Sequence, residues 1–259
     1  MGPLINPEFY SDGVEELYGL AFARISKAKP LMLFVSEASR RDFINLYGSD
    51  FPLLEVIHIP LREGMRSSDE QIVDGVPERF FLTVGSLGTR KNQARSIAAF
   101  SASGLASEGY GYVVCGGPEP GAKEVVLLAQ KTPGVILPGY VNDSQLRWLY
   151  KNAHGFVLAS LLEGFGLPAA EAVSYGQVPL LSAGGALEEV AGDGAVFVDP
   201  LDISDIAGGM RRLASMTAVE RADRLARLRR NVDRFSFDAA VSAWRSTLAR
   251  AIDCSRAKA

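Results

Sequence analysis

Two cysteines, two histidines and no apolar stretch of bilayer length set the outer limits on what this chain can do. Cys115 sits inside the apolar run Tyr112-Val113-Val114 and Cys254 near the C-terminus, so neither a disulfide framework nor a thiolate metal cluster can be assembled. Cys115 reads as a small core residue. His58 and His154 each flank a strand-like run without a second ligand at metal spacing, and both read as structural. Apolar runs such as Phe80-Phe81-Leu82 and 125–129 stop far short of the ~18 residues that a membrane-crossing helix needs. The opening Met1-Gly2-Pro3-Leu4-Ile5 lacks the basic and long apolar regions of a secretory leader, so a cytoplasmic location is expected.

The excess of one charge sign over the other is small as well. A net charge of −3 carries no electrostatic footprint for nucleic acid, and no nucleic-acid partner is expected. The ends are less even: residues 211–259 hold twelve Lys or Arg against five acids. Such a segment is either a solvated helix face or a surface that rests on anionic lipid, where each charge contributes ~1 kcal/mol. Peripheral contact with the inner membrane face through the basic C-terminal helices follows from the second reading.

What is present is the balance of a globular protein, 47% hydrophobic and 22% charged over 259 residues. From residue 80 onward, short runs at Phe80–Val84, Tyr112–Cys115, Val135–Leu137, Gly155–Leu158, Val178–Leu181 and Ala195–Val198 are apolar without in/out alternation, as strands buried on both faces require. Helix-like segments separate several of them: Asn92–Ser103 closed by Gly104, Asp143–Asn152 with its cap at Asn142 or Asp143, and Pro168–Tyr175 stopped by Gly176. Pro168 suits the first helical position. This alternation predicts an α/β fold, a doubly wound parallel sheet over residues 79–234. Before it stand a helix (14–26), a strand (31–36), a helix (39–47) and a strand (54–59), one βαβ unit too small for a core of its own, so residues 1–64 read as a remnant of another α/β domain. Residues 65–78 read as a linker. A long Arg-rich helix (218–232) and a last helix in 235–259 close the chain.

The most informative stretch is Glu163-Gly164-Phe165-Gly166-Leu167-Pro168-Ala169-Ala170-Glu171, which follows a strand and opens a helix. In open α/β sheets ligands bind at the carboxyl ends of the strands. Gly164 and Gly166 let the backbone approach a ligand, and the amides that open the helix carry partial positive charge, a geometry that welcomes phosphate. Glu163 and Glu171 frame the turn; one can reach a sugar while the other accepts from ribose hydroxyls. Taken singly, Glu171 could equally complement the helix dipole and Glu163 be a surface acid. A second stretch, Val84-Gly85-Ser86-Leu87-Gly88-Thr89-Arg90-Lys91-Asn92, ends the first strand of the domain at the same sheet edge, and is neither a P-loop nor a dinucleotide fingerprint.

Residues 163–172 match the E-G-F-G-L-P-x-x-E-A hallmark of retaining family 4 glycosyltransferases (glycosyl transferases group 1), and the chain resembles the C-terminal, donor-binding domain of these GT-B-fold enzymes with a truncated N-terminal domain. The likeness extends through V-G-x-x-x-x-R-K-N at 84–92, the G-Y-V loop at Gly139-Tyr140-Val141, the turn 182–190, Asp199-Pro200, and Val35-Ser36-Glu37 with Asp42, so it covers nearly the whole chain. What it implies is a Rossmann-like domain in which Glu163 contacts the donor sugar, Glu171 holds the ribose, and Lys91 with Arg90 neutralises the diphosphate. Gly85, Ser86, Gly139, Tyr140, Gly164, Phe165, Gly166 and Leu167 would complete the donor site. Many members carry Arg where this chain has Ser86; Arg90 substitutes, or the phosphate grip is weaker. The family transfers a sugar from a nucleotide-diphosphate donor, GDP- or UDP-linked, to a glycan or lipid-linked acceptor with retention, without cofactor or metal, and R-K-N members lean toward mannose and polysaccharide biosynthesis. A second reading stays open: a non-catalytic or split sugar-nucleotide-binding module whose acceptor domain comes from a partner chain.

Overall fold

Strands that are apolar on both sides must be covered on both sides, and most of this chain is arranged to do so. The computed structural model describes residues 1–62 and 67–256. Two compact units form, one from Met1–Leu61 with Asp233–Ala259 and one from Arg62–Val232. Residues 63–64 of the expected remnant, 65–66 of the expected linker and Lys258 of the basic tail lie outside the described residues.

The first unit holds α1 (Gly2–Ile5), α2 (Val14–Ala28), β1 (Met32–Phe34), α3 (Glu37–Tyr47), β2 (Leu54–Val56) and, from the far end of the chain, α11 (Phe237–Arg256). β1 and β2 pair in parallel. Ser36 caps α3 by accepting from the Ser39 amide at 3.0 Å. Phe43, fully buried, is the centre of an aromatic cluster with Phe34, Tyr47 and Phe51 at centroid separations of 5.2, 5.4 and 5.0 Å. His58 packs edge-on against Phe235, with 5.0 Å between ring centroids.

The second unit runs β3 (Arg79–Val84), α4 (Gln93–Ser103), β4 (Tyr110–Cys115), α5 (Ala122–Lys131), β5 (Val135–Ile136), α6 (Asp143–Asn152), β6 (Gly155–Leu158), α7 (Leu167–Ser174), β7 (Pro179–Ser182), α8 (Gly185–Ala191), β8 (Val196–Val198), α9 (Ile203–Ser215) and α10 (Ala218–Val232). Its six strands lie in the order β5-β4-β3-β6-β7-β8, all parallel. This is a doubly wound, Rossmann-like sheet whose strand order reverses between β3 and β6, and that reversal opens a crevice at their carboxyl ends. Phe80, Phe81, Leu82, Phe156, Val157 and Leu158 are at most 1% exposed, which accounts for the unbroken apolar runs. Cys115 is among these core residues; burial pushes its thiol up to about 12, and it donates to the Thr83 carbonyl at 3.6 Å. Residues 67–78 run along α6: Arg147 donates to the Asp69 carbonyl at 2.7 Å, Lys151 pairs with Glu70 at 2.7 Å, and Val73 is buried.

The structure corrects several sequence-level boundaries. α7 begins at Leu167, so Pro168 is its second residue, and Gly166, in the left-handed region, is the N-cap. The stretch 182–190, expected as a turn, holds all of α8 but its last residue. α5 and α9 were not singled out. α9 carries Gly208-Gly209, which lowers helix propensity by ~1 kcal/mol per glycine relative to Ala, but Gly209 is what seats the helix on the sheet: a Cβ there would stand 2.6 Å from Leu180 Cδ1 and 2.8 Å from Val198 Cγ1. Asp202 caps it, accepting from the amides of Ser204 and Asp205.

A Gly209→Leu substitution is therefore expected to destabilise the second unit by about 1–3 kcal/mol through overpacking. Thermal unfolding checks this; an unchanged midpoint would contradict the close seating of α9.

Candidate functional site

Two loops flank the crevice between β3 and β6, and both are fixed by hydrogen bonds that the sequence encodes in unusual residues. The loop after β3 is zipped to the loop after β4: Leu87 donates to Gly117 at 2.7 Å, Glu119 to Leu87 at 2.8 Å and Thr89 to Pro120 at 3.0 Å. Gly116 makes this possible, because a Cβ there would meet the Gly85 carbonyl oxygen at 2.0 Å. Gln93 closes the same loop from inside, accepting from the Gly88 amide at 3.0 Å and donating to the Ser86 carbonyl at 2.8 Å. Asn92 adopts the left-handed conformation at φ 58°, a region Asn tolerates better than most residues. From there its side-chain amide donates to the carbonyls of Ala159 at 2.9 Å and Pro200 at 2.7 Å. Leu161 donates to the Arg90 carbonyl at 2.9 Å, so the loop after β6 is stitched to the loop after β3.

That stitching brings Lys91, Arg90 and Glu163 together. Lys91 Nζ lies 2.6 Å from Glu163 Oε1, and the two side chains are each 8% exposed. Ser160 also donates to Glu163 Oε1, at 2.8 Å. Arg90 Nη1 is 3.8 Å from Glu163 Oε2 and donates to the Leu162 carbonyl at 3.3 Å, while Nη2 reaches both oxygens of Glu119 at 3.2 and 3.1 Å. Neither cation is a solvated helix-start charge and Glu163 is not a surface acid. Gly85 makes room for the lysine, since a Cβ there would stand 3.4 Å from Lys91 Cε.

Glu171 forms a second cluster. It is the fifth residue of α7, past the first turn to which the helix dipole's influence is confined, so its acidity is not there to complement the dipole. The side chain is 3% exposed; Oε1 accepts from Arg62 Nε at 2.7 Å and Oε2 from the Tyr150 hydroxyl at 3.0 Å. Burial, reinforced by the adjacent Glu171 charge, holds the Tyr150 phenol well above its usual range. The hydrogen bond to Glu171 raises Arg62 above its own. Tyr150 is positioned by α6, whose N-terminus carries a capping box between Asn142 and Gln145.

The remaining sequence-predicted residues are spread along the same edge. Gly166, at φ 103°, abuts Leu187, whose Cδ2 would lie 2.5 Å from a Cβ. Phe165 is buried, and Leu167 provides the first helical amide, which has no intrahelical acceptor. Gly164 is exposed at the crest of the turn. Gly139 lines an apolar cavity of about 470 Å³ with Leu87, Leu137, Val126, Ala129 and Val135, whereas Tyr140 is 88% exposed. Ser86 contributes its carbonyl to Gln93. Sequence reasoning missed Arg62, Tyr150, Ser160 and Glu119. Arg62 is 109 positions from its partner and gave no local signal. Tyr150 falls within the helix-like stretch Asp143–Asn152, whose pattern gives no sign of a partner for its hydroxyl.

Among the described residues no group of three His, Cys, Asp or Glu could hold a metal ion, and no helix is long and apolar enough to cross a membrane. Part of the basic C-terminal charge is consumed locally: Arg224 pairs with Glu220 at 3.0 Å and Arg227 with Asp223 at 2.7 Å, and Arg250 pairs with Glu55 at 2.6 Å.

Comparisons with known proteins place the chain in one family. The family model described as "Glycosyl transferases group 1" matches residues 66–232. The serotype-specific mannosyltransferase WbdA of Escherichia coli is 28% identical over 231 residues, 81% of this chain and 28% of its own length. The O-antigen chain mannosyltransferase RfbU of Salmonella typhimurium is 25% identical over 240 residues, 90% of this chain and 64% of its own. The chain thus spans less than two thirds of either relative. The α,α-trehalose-6-phosphate synthase of Burkholderia multivorans is similar in fold, with a TM-score of 0.70 at 17% identity over 97% of this chain and 66% of that one.

Removing the Tyr150 hydroxyl leaves one Glu171 oxygen without its buried donor. Tyr150→Phe is expected to lower stability by about 1.5–3 kcal/mol, the scale of a hydrogen bond to a charged group. Denaturant unfolding reads this, and a loss under 0.5 kcal/mol would place the hydroxyl outside the cluster.

Proposed function

Because the chain belongs to the glycosyl transferases group 1 family, we propose that it carries the donor-binding half of a hexosyltransferase that moves a sugar from a nucleotide-diphosphate donor to a glycan or lipid-linked acceptor with retention. The observation that carries this reading is the placement of Lys91, Arg90 and Glu163 beside one another at the switch point of the sheet, with Glu171 on the helix that follows. In the proposal Lys91 and Arg90 face the diphosphate, with no metal ion in the reaction. A diphosphate gathers charge as the bond from the sugar's anomeric carbon to the phosphate oxygen breaks, so fixed cations stabilise the transition state more than the ground state. Glu163, now paired to Lys91, is released toward the donor sugar as phosphate oxygens take over the lysine. The acceptor oxygen forms its bond on the face the phosphate leaves, and its proton passes to the departing phosphate. Glu171 accepts from the ribose, and the apolar cavity lined by Leu87, Leu137 and Gly139 receives the nucleobase.

Mannose is the proposed sugar and a surface polysaccharide the proposed product, supported by the R-K-N sequence at 90–92 and by the mannosyltransferase relatives. A cytoplasmic site, with the basic C-terminal helices resting on the inner membrane face, goes with that product. A second reading rests on the first unit, which among the described residues contains a two-stranded sheet: the chain binds donor, and a partner chain supplies the acceptor side. Holding both reactants at near-attack distance is worth ~7–11 kcal/mol, so such a module alone would bind far better than it turns over.

Calorimetric titration with GDP, UDP, GDP-mannose and UDP-glucose tests the reading. One base is expected to bind at about micromolar Kd, with Lys91→Ala and Glu171→Ala each weakening it about tenfold or more, ~1.4 kcal/mol. Binding that survives both substitutions would contradict the site. Turnover of GDP-mannose onto an added acceptor by this chain alone would remove the second reading.

A further inference from the structure

Glu171, which the proposed function assigns to the ribose, already accepts at each oxygen from a group of the protein itself. Its two donors differ in kind. Tyr150 approaches from within: the residue is fully buried and its ring stacks on Tyr175, with centroids 5.5 Å apart and planes 8° from parallel. Arg62 approaches from the solvent side, with its own side chain 46% exposed while the carboxylate beneath is 3% exposed. A second acid stands within its reach: Asp143 Oδ1, on the first turn of α6 and 67% exposed, is 3.9 Å from Arg62 Nη1.

A diol cannot donate to a carboxylate that is covered to this degree unless the cover moves. Tyr150 has no room to do so; Arg62 has both the exposure and an alternative partner. We propose that Arg62 is a specificity-determining latch over the ribose subsite: it covers Glu171 in the empty chain and passes its charge to Asp143 when a ribose diol donates to Glu171 in its place. The inference rests on the assignment of Glu171 to the ribose.

The exchange balances. A buried carboxylate stripped of a donor is costly, so Arg62 cannot leave unless something replaces it. The 2′ and 3′ hydroxyls supply that replacement, and the guanidinium exchanges a buried partner for an exposed one whose interaction is worth little, about 0–1 kcal/mol. A nucleotide that lacks both hydroxyls has nothing to offer Glu171 and leaves the latch shut. The latch therefore taxes the ribonucleotide alone, by the cost of opening, and damps the preference for ribose that an uncovered buried carboxylate would set.

The test compares GDP with 2′,3′-dideoxy-GDP, and UDP with its dideoxy counterpart, by calorimetry on the wild-type chain, Arg62→Ala, Arg62→Gln, Asp143→Asn and the Arg62→Ala/Asp143→Asn double variant, each checked for folding by thermal unfolding. A closed latch lowers apparent affinity by the fraction of molecules that are open, so Arg62→Ala is expected to raise the ribo-over-dideoxy affinity ratio about 3–10-fold. The ratio cancels any general loss of positive charge near the diphosphate. Arg62→Gln gives the same direction if the alanine variant fails to fold. Asp143→Asn lowers the ratio, and in the double variant that effect disappears, because the acid acts only through the arginine. A ratio unchanged or lowered in both Arg62 variants overturns the latch while leaving the donor site intact. A folded wild-type chain that binds neither ribonucleotide overturns the ribose assignment and the latch together.

Discussion

Asn92 is the constraint on which the candidate site depends. Two donations from one side-chain amide, to Ala159 and Pro200, tie the loop after β3 to those after β6 and β8, and the left-handed backbone of the same residue turns the chain so that Lys91 faces Glu163. The strands deliver these loops to one edge because a parallel sheet puts every carboxyl end on the same side. Parallel pairing alone would leave the loops at strand spacing. Asn92 and the bond from Leu161 to Arg90 close them into one structure.

The site's electrostatics follow from that closure. Two cations and two glutamates are taken out of water within one crevice, and each is compensated internally: Lys91 and Arg90 by Glu163 and Glu119, Glu171 by Arg62 and Tyr150. Buried ion pairs of this kind contribute little net stability because desolvation offsets attraction. In the proposed function their value lies in readiness for exchange: an arriving phosphate would compete with Glu163 for Lys91, and an arriving diol with Arg62 for Glu171, so that a ligand would replace partners that already exist without ordering new ones. On this account Glu163 and Arg62 act as placeholders, the first for the phosphate and the second for the ribose diol of a nucleotide sugar.

The sheet was legible in the sequence because its strands are buried on both faces, which forces runs such as Phe80–Val84 and Gly155–Leu158 to be uniformly apolar. The turn at 163–171 was legible because only glycine accommodates the left-handed Gly166 so close to Leu187. α9 was hidden by its own packing: Gly209 weakens the helical pattern for the same reason that it fits the sheet. α5 follows Gly116-Gly117-Pro118-Glu119-Pro120-Gly121, a stretch whose turn signals mask the helix start. The partners of the site residues were least legible. Nothing local in Arg62 or Tyr150 announces a carboxylate, and their meeting on Glu171 exists only after the sheet has formed.

A crystal structure of the chain soaked with the nucleoside diphosphate it binds is the most direct test. The account expects the diphosphate against Lys91 and Arg90 at the opening of α7, the ribose on Glu171, and Glu163 no longer paired to Lys91. A nucleotide found elsewhere, or one bound with the Lys91–Glu163 and Arg62–Glu171 pairs both intact, would contradict it.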